Sequence, residues 1–257
     1  MPCLNCGSAV TCEAHIIPKK GAREIIKRST RKTLSLLAPN RVHNFMQSGF
    51  VDNEILCSRC DGVLGVYDNH ATQILRLLGT EHEVIDRQAN RFKITRGKGV
   101  NHEHLALFGA AVVWRTSVSK YRELAEFTLG NNEAWMRKIV FRQSNEIPTV
   151  LVARLVGRTA LTHEAAMTAL MYPVRIKMRG IWVARFYFGG LIFFVQTTRA
   201  ADASLCADAV TTFGRSAGPA CLAGVLYRFE ELADLRQVRQ SKHVQQVLAR
   251  RDGAFNI

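Results

Sequence analysis

Four cysteines come in two pairs of the same spacing, Cys3-Leu4-Asn5-Cys6 and Cys57-Ser58-Arg59-Cys60. Each Cys-x-x-Cys pair can give two thiolates to one ion, and two pairs make the closed tetrahedral set of a structural zinc site. A single pair reads equally well as a redox motif, and it is the repeat that argues for metal. Just after the first pair stands Glu13-Ala14-His15-Ile16-Ile17-Pro18. The imidazole of His15 titrates near neutrality, which suits it to take a proton from water. Cys12-Glu13-Ala14-His15 also has metal-ligand spacing, so His15 as a zinc ligand stands beside His15 as a base. The second pair runs into Asp61-Gly62-Val63-Leu64-Gly65-Val66-Tyr67-Asp68, with two carboxylates.

These groups need elements to position them. Residues 3 to 18 read as a knuckle leading into a short β segment, and Gln47-Ser48-Gly49 as a turn before a strand over Phe50 to Leu56. Residues 61 to 78 have a helical period: at about 100° per residue, Leu64, Tyr67, Ala71, Ile74 and Leu78 share one arc, the core face. Asp61, Gly65, Asp68 and Thr72 fall on a separate line, where the glycine leaves room for an ion or a phosphate backbone. Asp61 also suits a helix N-terminus on electrostatic grounds alone. Asp68 lies roughly 10 Å further along the axis, too far for both short carboxylates to share an ion easily. One is expected to be the ligand and the other to orient a partner. His70 points about 160° away from Asp68 and is expected to be structural or exposed.

The order Cys-x-x-Cys, His15-Ile16-Ile17-Pro18, Ile55-Leu56-Cys57-Ser58-Arg59-Cys60 and Asp61 resembles the HNH (ββα-metal) endonucleases, in the subgroup with paired Cys-x-x-Cys zinc knuckles. The likeness covers residues 3 to 80. It implies that His15 is the general base activating water against phosphorus, a role favoured by four thiolates already completing the zinc shell. It implies that Asp61, or Asp68, holds a catalytic Mg²⁺ or Mn²⁺. An Asn supports the site in the family; Asn53 fills that place, with Asp52 and Glu54 open because the register is ambiguous by one residue. Many relatives carry an acid directly before the His, where this chain has Ala14.

The densest basic run, Lys19, Lys20, Arg23, Lys27, Arg28, Arg31 and Lys32 against Glu24 alone, lies between the two halves of the motif. It reads as a phosphate-contacting segment, and the net charge of +14 over 257 residues also favours a polyanion. Hydrophobic content of 47% supports a folded chain. The N-terminus lacks the apolar run of a signal peptide. The most apolar stretch, Ile181 to Val195, carries Arg185 and Gly189-Gly190 and is shorter than a membrane span. Four of the seven cysteines pair as ligands, leaving Cys12, Cys206 and Cys221. That odd remainder suits a reducing, cytoplasmic setting without a membrane.

The expected fold is α+β: an N-terminal ββα-metal zinc-knuckle nuclease domain over residues 1–90, and a mixed α/β domain over residues 100–257. The boundary falls in a polar passage that includes Arg96-Gly97-Lys98-Gly99, where His102 and His104 read as surface residues. Helices are expected over Leu105 to Lys120, Asn132 to Arg142, Thr162 to Leu170, Ala203 to Phe213 and Phe229 to Arg251. Strands are expected over Thr149 to Val156, Val174 to Met178, Trp182 to Phe188 and Leu191 to Thr197, with a hairpin turn at Gly189-Gly190. Trp114-Arg115-Thr116-Ser117 stands out without a chemical reading. The expected function is a metal-dependent endonuclease acting on nucleic acid, in the first place DNA, and placed in defence against phage or mobile DNA. The alternative is a non-catalytic zinc-dependent module for nucleic-acid binding or regulation, with self-association or a regulatory protein partner through the C-terminal half.

Overall fold

In the computed structural model, residues 1–29, 34–37, 45–46, 50–86, 88, 91–95, 100–121, 124, 126–146, 149–178, 180–199 and 221–228 are described; for 34–37, 45–46, 91–93, 95, 160–162 and 221–228 this means the backbone alone. The chain starts with small elements: β1 (Ala14–His15), α1 (Lys19–Arg28), β2 (Leu34–Leu37), β3 (Phe45–Met46) and β4 (Val51–Asp52). Then come α2 (Ser58–Leu77), β5 (Glu83–Asp86), β6 (Arg91–Thr95), α3 (His102–Val118) and α4 (Glu133–Val140). A strand-rich stretch follows: β7 (Val150–Val156), α5 (Ala160–Thr168), β8 (Ala169–Met178), β9 (Ile181–Phe188), β10 (Leu191–Gln196) and β11 (Cys221–Arg228). The α+β class is as expected, and the helices and strands read from sequence over residues 61–78, 105–120, 132–142 and 149–197 are present.

The central sheet has the order β3-β2-β8-β9-β10-β7-β11-β6-β5. Pairing is parallel between β2 and β8 and between β11 and β7, and antiparallel elsewhere. Strand β7 shows why the sheet's middle reads as unbroken apolar sequence. Val150, Val152 and Val156 turn to one face, where α2, α3 and α4 lie, and Leu151, Ala153 and Leu155 to the other. With both faces covered, alternation between polar and apolar disappears. Helix α3 is apolar on all sides for the same reason: every residue from Leu105 to Thr116 is buried. Asn101 starts it, its side chain accepting from the backbone N–H of His104 at 3.0 Å.

The expected division into residues 1–90 and 100–257 is crossed by this sheet. β2 pairs with β8, and β5 and β6 reach β11 through antiparallel pairing. One buried cluster joins Cys3, Ile16 and Leu64 to Leu105, Met136 and Phe186. The reason is that short strands of the first hundred residues complete the edges of a sheet whose centre comes from the second half. The helices expected over Ala203 to Phe213 and Phe229 to Arg251, the turn at Gln47-Ser48-Gly49 and the passage Arg96 to Gly99 lie outside the described residues.

A charged pair is sealed within this packing. Arg154, with 0% exposure, donates from Nε to Glu83 and from Nη1 to the carbonyls of Leu155 at 2.7 Å and Gly190 at 2.9 Å. The pair ties β5 to β7 and to the β9–β10 turn. That turn needs its two glycines. Gly189 and Gly190 have φ of +56° and +90°, and a Cβ on Gly190 would lie 2.6 Å from Arg154 Nη1.

Helix α1 packs on α2 with its small residues Gly21 and Ala22 buried, and Gly21 meets the end of β9. A Cβ on Gly21 would come within 2.4 Å of Cζ in the fully buried ring of Phe188. Gly21→Ala should therefore cost about 1–3 kcal/mol through overpacking, although alanine is the better helix former. Urea denaturation checks this, and a Gly21→Ala protein of wild-type stability would separate α1 from β9.

Candidate metal centre and the acids beside it

The knuckle closes on the start of α2. Leu4 N–H donates to the carbonyl of Ile55 at 3.0 Å, and Cys12 N–H to that of Leu56 at 2.8 Å. These bonds bring Cys3 and Cys6 against Cys57, whose extended backbone begins α2, and Cys60 in its first turn. The four Sγ atoms lie within 4.8 Å of one another, and Cys6 Sγ is 3.6 Å from Cys57 Sγ. Sulfurs around one tetrahedral ion at the usual bond length stand roughly 3.8 Å apart. The set is thus a candidate metal site, and among the described residues it is the one group of three or more such ligands.

The thiols respond to sharing so small a volume. Burial opposes ionisation of Cys3, but N–H groups of Cys6, Cys57 and Asn5 bring it down to about 6. Cys60 is pushed up to about 12 by burial and by the other cysteines, against the Asn5 amide that donates to its sulfur at 3.3 Å. A divalent cation would let all four ionise together. Cys12 is outside this group, and its thiol is pushed up by burial first and then by Asp61.

His15 stands next to the cluster on a two-stranded antiparallel ribbon, opposite Val51, with Ala14 opposite Asp52. Its side chain is mostly enclosed, and Nε2 lies 4.0 Å from Glu13 Oε1. Burial lowers its pKa below the usual histidine value; Lys19 lowers it further, while Glu13 and Asp61 pull it up. Asp61, half-buried in the first turn of α2, has its pKa raised by burial, against the Arg115 guanidinium and with Asp68 adding to the rise. His15, Asp61, Asp68 and Arg115 thus lie close enough to act on one another's charge. Beyond Asp61, Gly65 leaves open space where a side chain would stand.

Asp68 has another engagement. Arg115 donates from Nη1 to Asp68 Oδ2 at 2.9 Å and from Nη2 to Oδ1 at 2.8 Å, a bidentate pair with the arginine side chain 1% exposed. Of the two expected acids, Asp68 is the one engaged on both oxygens by a guanidinium. Asn53 is exposed. In that trio it is Asp52 that turns inward, accepting from Ser119 Oγ at 3.1 Å and from the backbone of Lys120 at 3.0 Å, while Glu54 pairs with Lys120. The strand expected over Phe50 to Leu56 is Val51–Asp52 alone, and Asn53 lies in the bend that follows it.

The Trp-Arg-Thr-Ser stretch gains a physical role here. Trp114 Nε1 donates to Glu133 Oε1 at 2.6 Å in α4, Arg115 holds Asp68 in α2, and Ser117 Oγ accepts from Leu129 N–H at 2.8 Å. The signal in the sequence was an arginine at the end of an apolar helix, which burial without a partner would forbid. His70 is buried, accepts from Asn101 N–H at 3.1 Å, and is held down to about 4 by burial and by His104. His104 is no bare surface residue: its ring packs 5.6 Å from Tyr67 and 5.8 Å from His70.

Along the basic run, Lys19, Lys20, Arg23 and Lys27 are exposed on α1, spanning about 100° of its circumference. Arg28 leaves this face. It turns toward the body and donates to the carbonyl of Leu75, and burial lowers its pKa. Arg31 and Lys32 lie outside the described residues. No helix among the described residues is long and apolar enough to cross a membrane. Compared with known protein families, curated proteins and solved structures, the chain matches none.

Removing Arg115 should leave the largely enclosed Asp68 carboxylate without its guanidinium and still near the charge of Asp61. Arg115→Met is expected to cost about 3–5 kcal/mol, and Arg115→Met with Asp68→Leu much less, since breaking one side of a buried pair is worse than replacing both. Chemical denaturation of the two single variants and the double variant checks this. Simple additivity would mean that the pair is not coupled.

Proposed function

We propose that this chain is a metal-dependent endonuclease of the HNH kind, hydrolysing phosphodiester bonds in DNA, with structural zinc on Cys3, Cys6, Cys57 and Cys60. The observation that carries the reading is the ribbon of β1 and β4 leading into α2, with His15 and Asp61 facing one another's charge beside the four sulfurs. On this reading the ribbon, helix and knuckle together are a ββα-metal unit.

His15 is suited to the base role because its pKa is lowered by burial and by Lys19. The imidazole is then neutral at pH 7 and takes the proton of the water that attacks phosphorus. Zinc would keep a fixed distance between the knuckle and α2 and take no part in the reaction. Asp61 would hold a Mg²⁺ or Mn²⁺, which supplies charge neutralisation at the reacting phosphate when bound. One free carboxylate fits a magnesium-type site, since such ions are commonly completed by water and by substrate phosphate. Lys19, Lys20, Arg23 and Lys27 hold the strand by its phosphates, and Arg115 keeps Asp68 from adding a second negative charge. A cytoplasmic role against phage or mobile DNA belongs to the same reading.

One observation favours the alternative, a zinc-dependent nucleic-acid-binding module without catalysis. Asp68 is committed to Arg115, so of the two acids on α2 Asp61 alone is left to hold an ion. The two readings part in a plasmid-nicking assay.

The protein should carry one tightly bound Zn²⁺, and Cys57→Ser should lose it together with thermal stability. Elemental analysis of folded protein without zinc would refute the four-thiolate assignment. Charge reversal at Lys20, Arg23 and Lys27 should weaken DNA binding on every sequence and flatten its salt dependence.

Wild-type protein should nick supercoiled plasmid with Mg²⁺ or Mn²⁺ and stop in EDTA. His15→Ala should lose about 10²–10⁴-fold in rate while keeping zinc and fold; loss of zinc instead would make His15 a ligand. Because the neutral imidazole is the active form, rate should rise with pH through the His15 pKa and level off above it. Burial and Lys19 put that midpoint below 6.5, and Lys19→Ala should move it upward. Activity in a folded His15→Ala protein would end the mechanism.

A further inference from the structure

Strands β8 and β9 form a hairpin whose outer half extends past the buried core. There Arg175 and Lys177 are exposed, and Trp182, opposite Lys177 in the register, is 40% exposed. Arg175 Cζ lies 4.5 Å from the centre of the Trp182 ring, a stacked cation over an aromatic face. Tryptophan is costly to leave in water, and nothing in the core requires this one, whose neighbours two and four residues on, Ala184 and Phe186, are fully buried. Between Glu164 and Asp202 the sequence contains no acid, so neither strand carries a carboxylate beside Arg175 or Lys177.

The hairpin face is joined to the candidate site. On β8 the pairing shifts between Met171 and Val174, and Tyr172 precedes Arg175 and Lys177 along the side of the sheet that faces the helices. Tyr172 accepts from Phe50 N–H at 2.8 Å and stacks on the Phe50 ring at 5.0 Å, with Tyr121 on Phe50 at 5.1 Å. Phe50 directly precedes Val51, the cross-strand partner of His15. The distance from Tyr172 to Lys177 along the strand is about 15 Å. A row of π faces and cations therefore leads from the His15 ribbon to the hairpin tip.

We propose that Trp182, with Arg175 stacked on it and Lys177 beside it, is a base-stacking platform that holds an unpaired stretch of DNA next to the His15 ribbon. The chemistry is complementary on both counts: an exposed indole face takes any base, and the two cations take the flanking phosphates. A duplex, whose bases are already stacked on one another, has no face to offer the indole. The platform rests on the DNA partner proposed above and not on hydrolysis.

The test measures anisotropy of a labelled oligo-dT on the full zinc-loaded chain, without added divalent ion and repeated in His15→Ala so that no cutting intervenes. Oligo-dT should bind more tightly than a duplex of the same length. Trp182→Leu should weaken it roughly five- to hundredfold, while Trp182→Phe keeps most of the affinity because a π face remains. Arg175→Gln with Lys177→Gln should lower the slope of log affinity against log salt by about 1.4, from two single-strand phosphate contacts. Intrinsic tryptophan fluorescence should be quenched by oligo-dT in wild type and much less in Trp182→Phe. Wild-type affinity in a folded Trp182→Leu protein overturns the platform, as does tighter binding of duplex or of oligo-rU. A chain that nicks plasmid yet binds oligo-dT independently of Trp182 loses this inference alone. One that binds through Trp182 but cuts nothing loses the hydrolysis reading alone.

Discussion

Four sulfurs within 4.8 Å of each other are the constraint from which the N-terminal region takes its shape. Such a set is poorly matched to water or to apolar packing, and a cation there would crosslink residues 3–6 to the first turn of α2. That crosslink would close over all the chain between them, including β1, α1 and β4. It also reaches outward. Gln143 donates to Asn5 Oδ1 at 3.0 Å, and Arg137 of α4 donates to the carbonyl of Leu4. The knuckle is thereby held by the second half of the chain as well as by its own sulfurs.

Helix α3 does the corresponding work on the other side. Its last turns and C-cap bind Glu133 in α4, Asp68 in α2 and Asp52 in β4 through Trp114, Arg115 and Ser119. A buried arginine can persist there because its fork matches both oxygens of Asp68 and its Nε reaches the carbonyl of Ala111 at 3.3 Å. Strand β4 is fixed twice, through Asp52 to α3 and through Phe50 to Tyr172 of β8. The position of His15 across from Val51 is thus set by contacts far away in sequence.

How much of this was legible follows from range. Local signals were sufficient for the core face of α2, where Leu64, Tyr67, Ala71, Ile74 and Leu78 are all buried, and for the β9–β10 turn at Gly189-Gly190. Identical spacing made the four cysteines visible as a set. What escaped were pairings between distant residues. Nothing in the neighbourhood of Asp68 announces Arg115, and the orientation of Arg28 depends on the carbonyl of Leu75 in another helix. The polar passage after residue 90 reads as a division for a related reason: local sequence does not show that strands before it form both edges of a sheet whose centre comes after it.

The charge arrangement around His15 makes sense of the Arg115–Asp68 pair beyond stability. A phosphodiester approaching two ionised acids and a neutral imidazole would meet net repulsion. With Asp68 neutralised by a guanidinium at 2.8–2.9 Å, Asp61 is the acid left with its charge uncancelled by a direct partner, and burial already disfavours that charge. Lys19 then offsets part of the negative charge of Asp61 and Glu13, and Lys20, Arg23 and Lys27 carry positive charge along α1. Under the proposed chemistry this order has a consequence for ion binding. An ion held by Asp61 alone would be weakly bound in the free protein and firmly bound only when the phosphate of the substrate supplies further oxygens. The same carboxylate, relieved of the repulsion by Asp68, would therefore recruit the ion and the nucleic acid together, each making the site more favourable for the other.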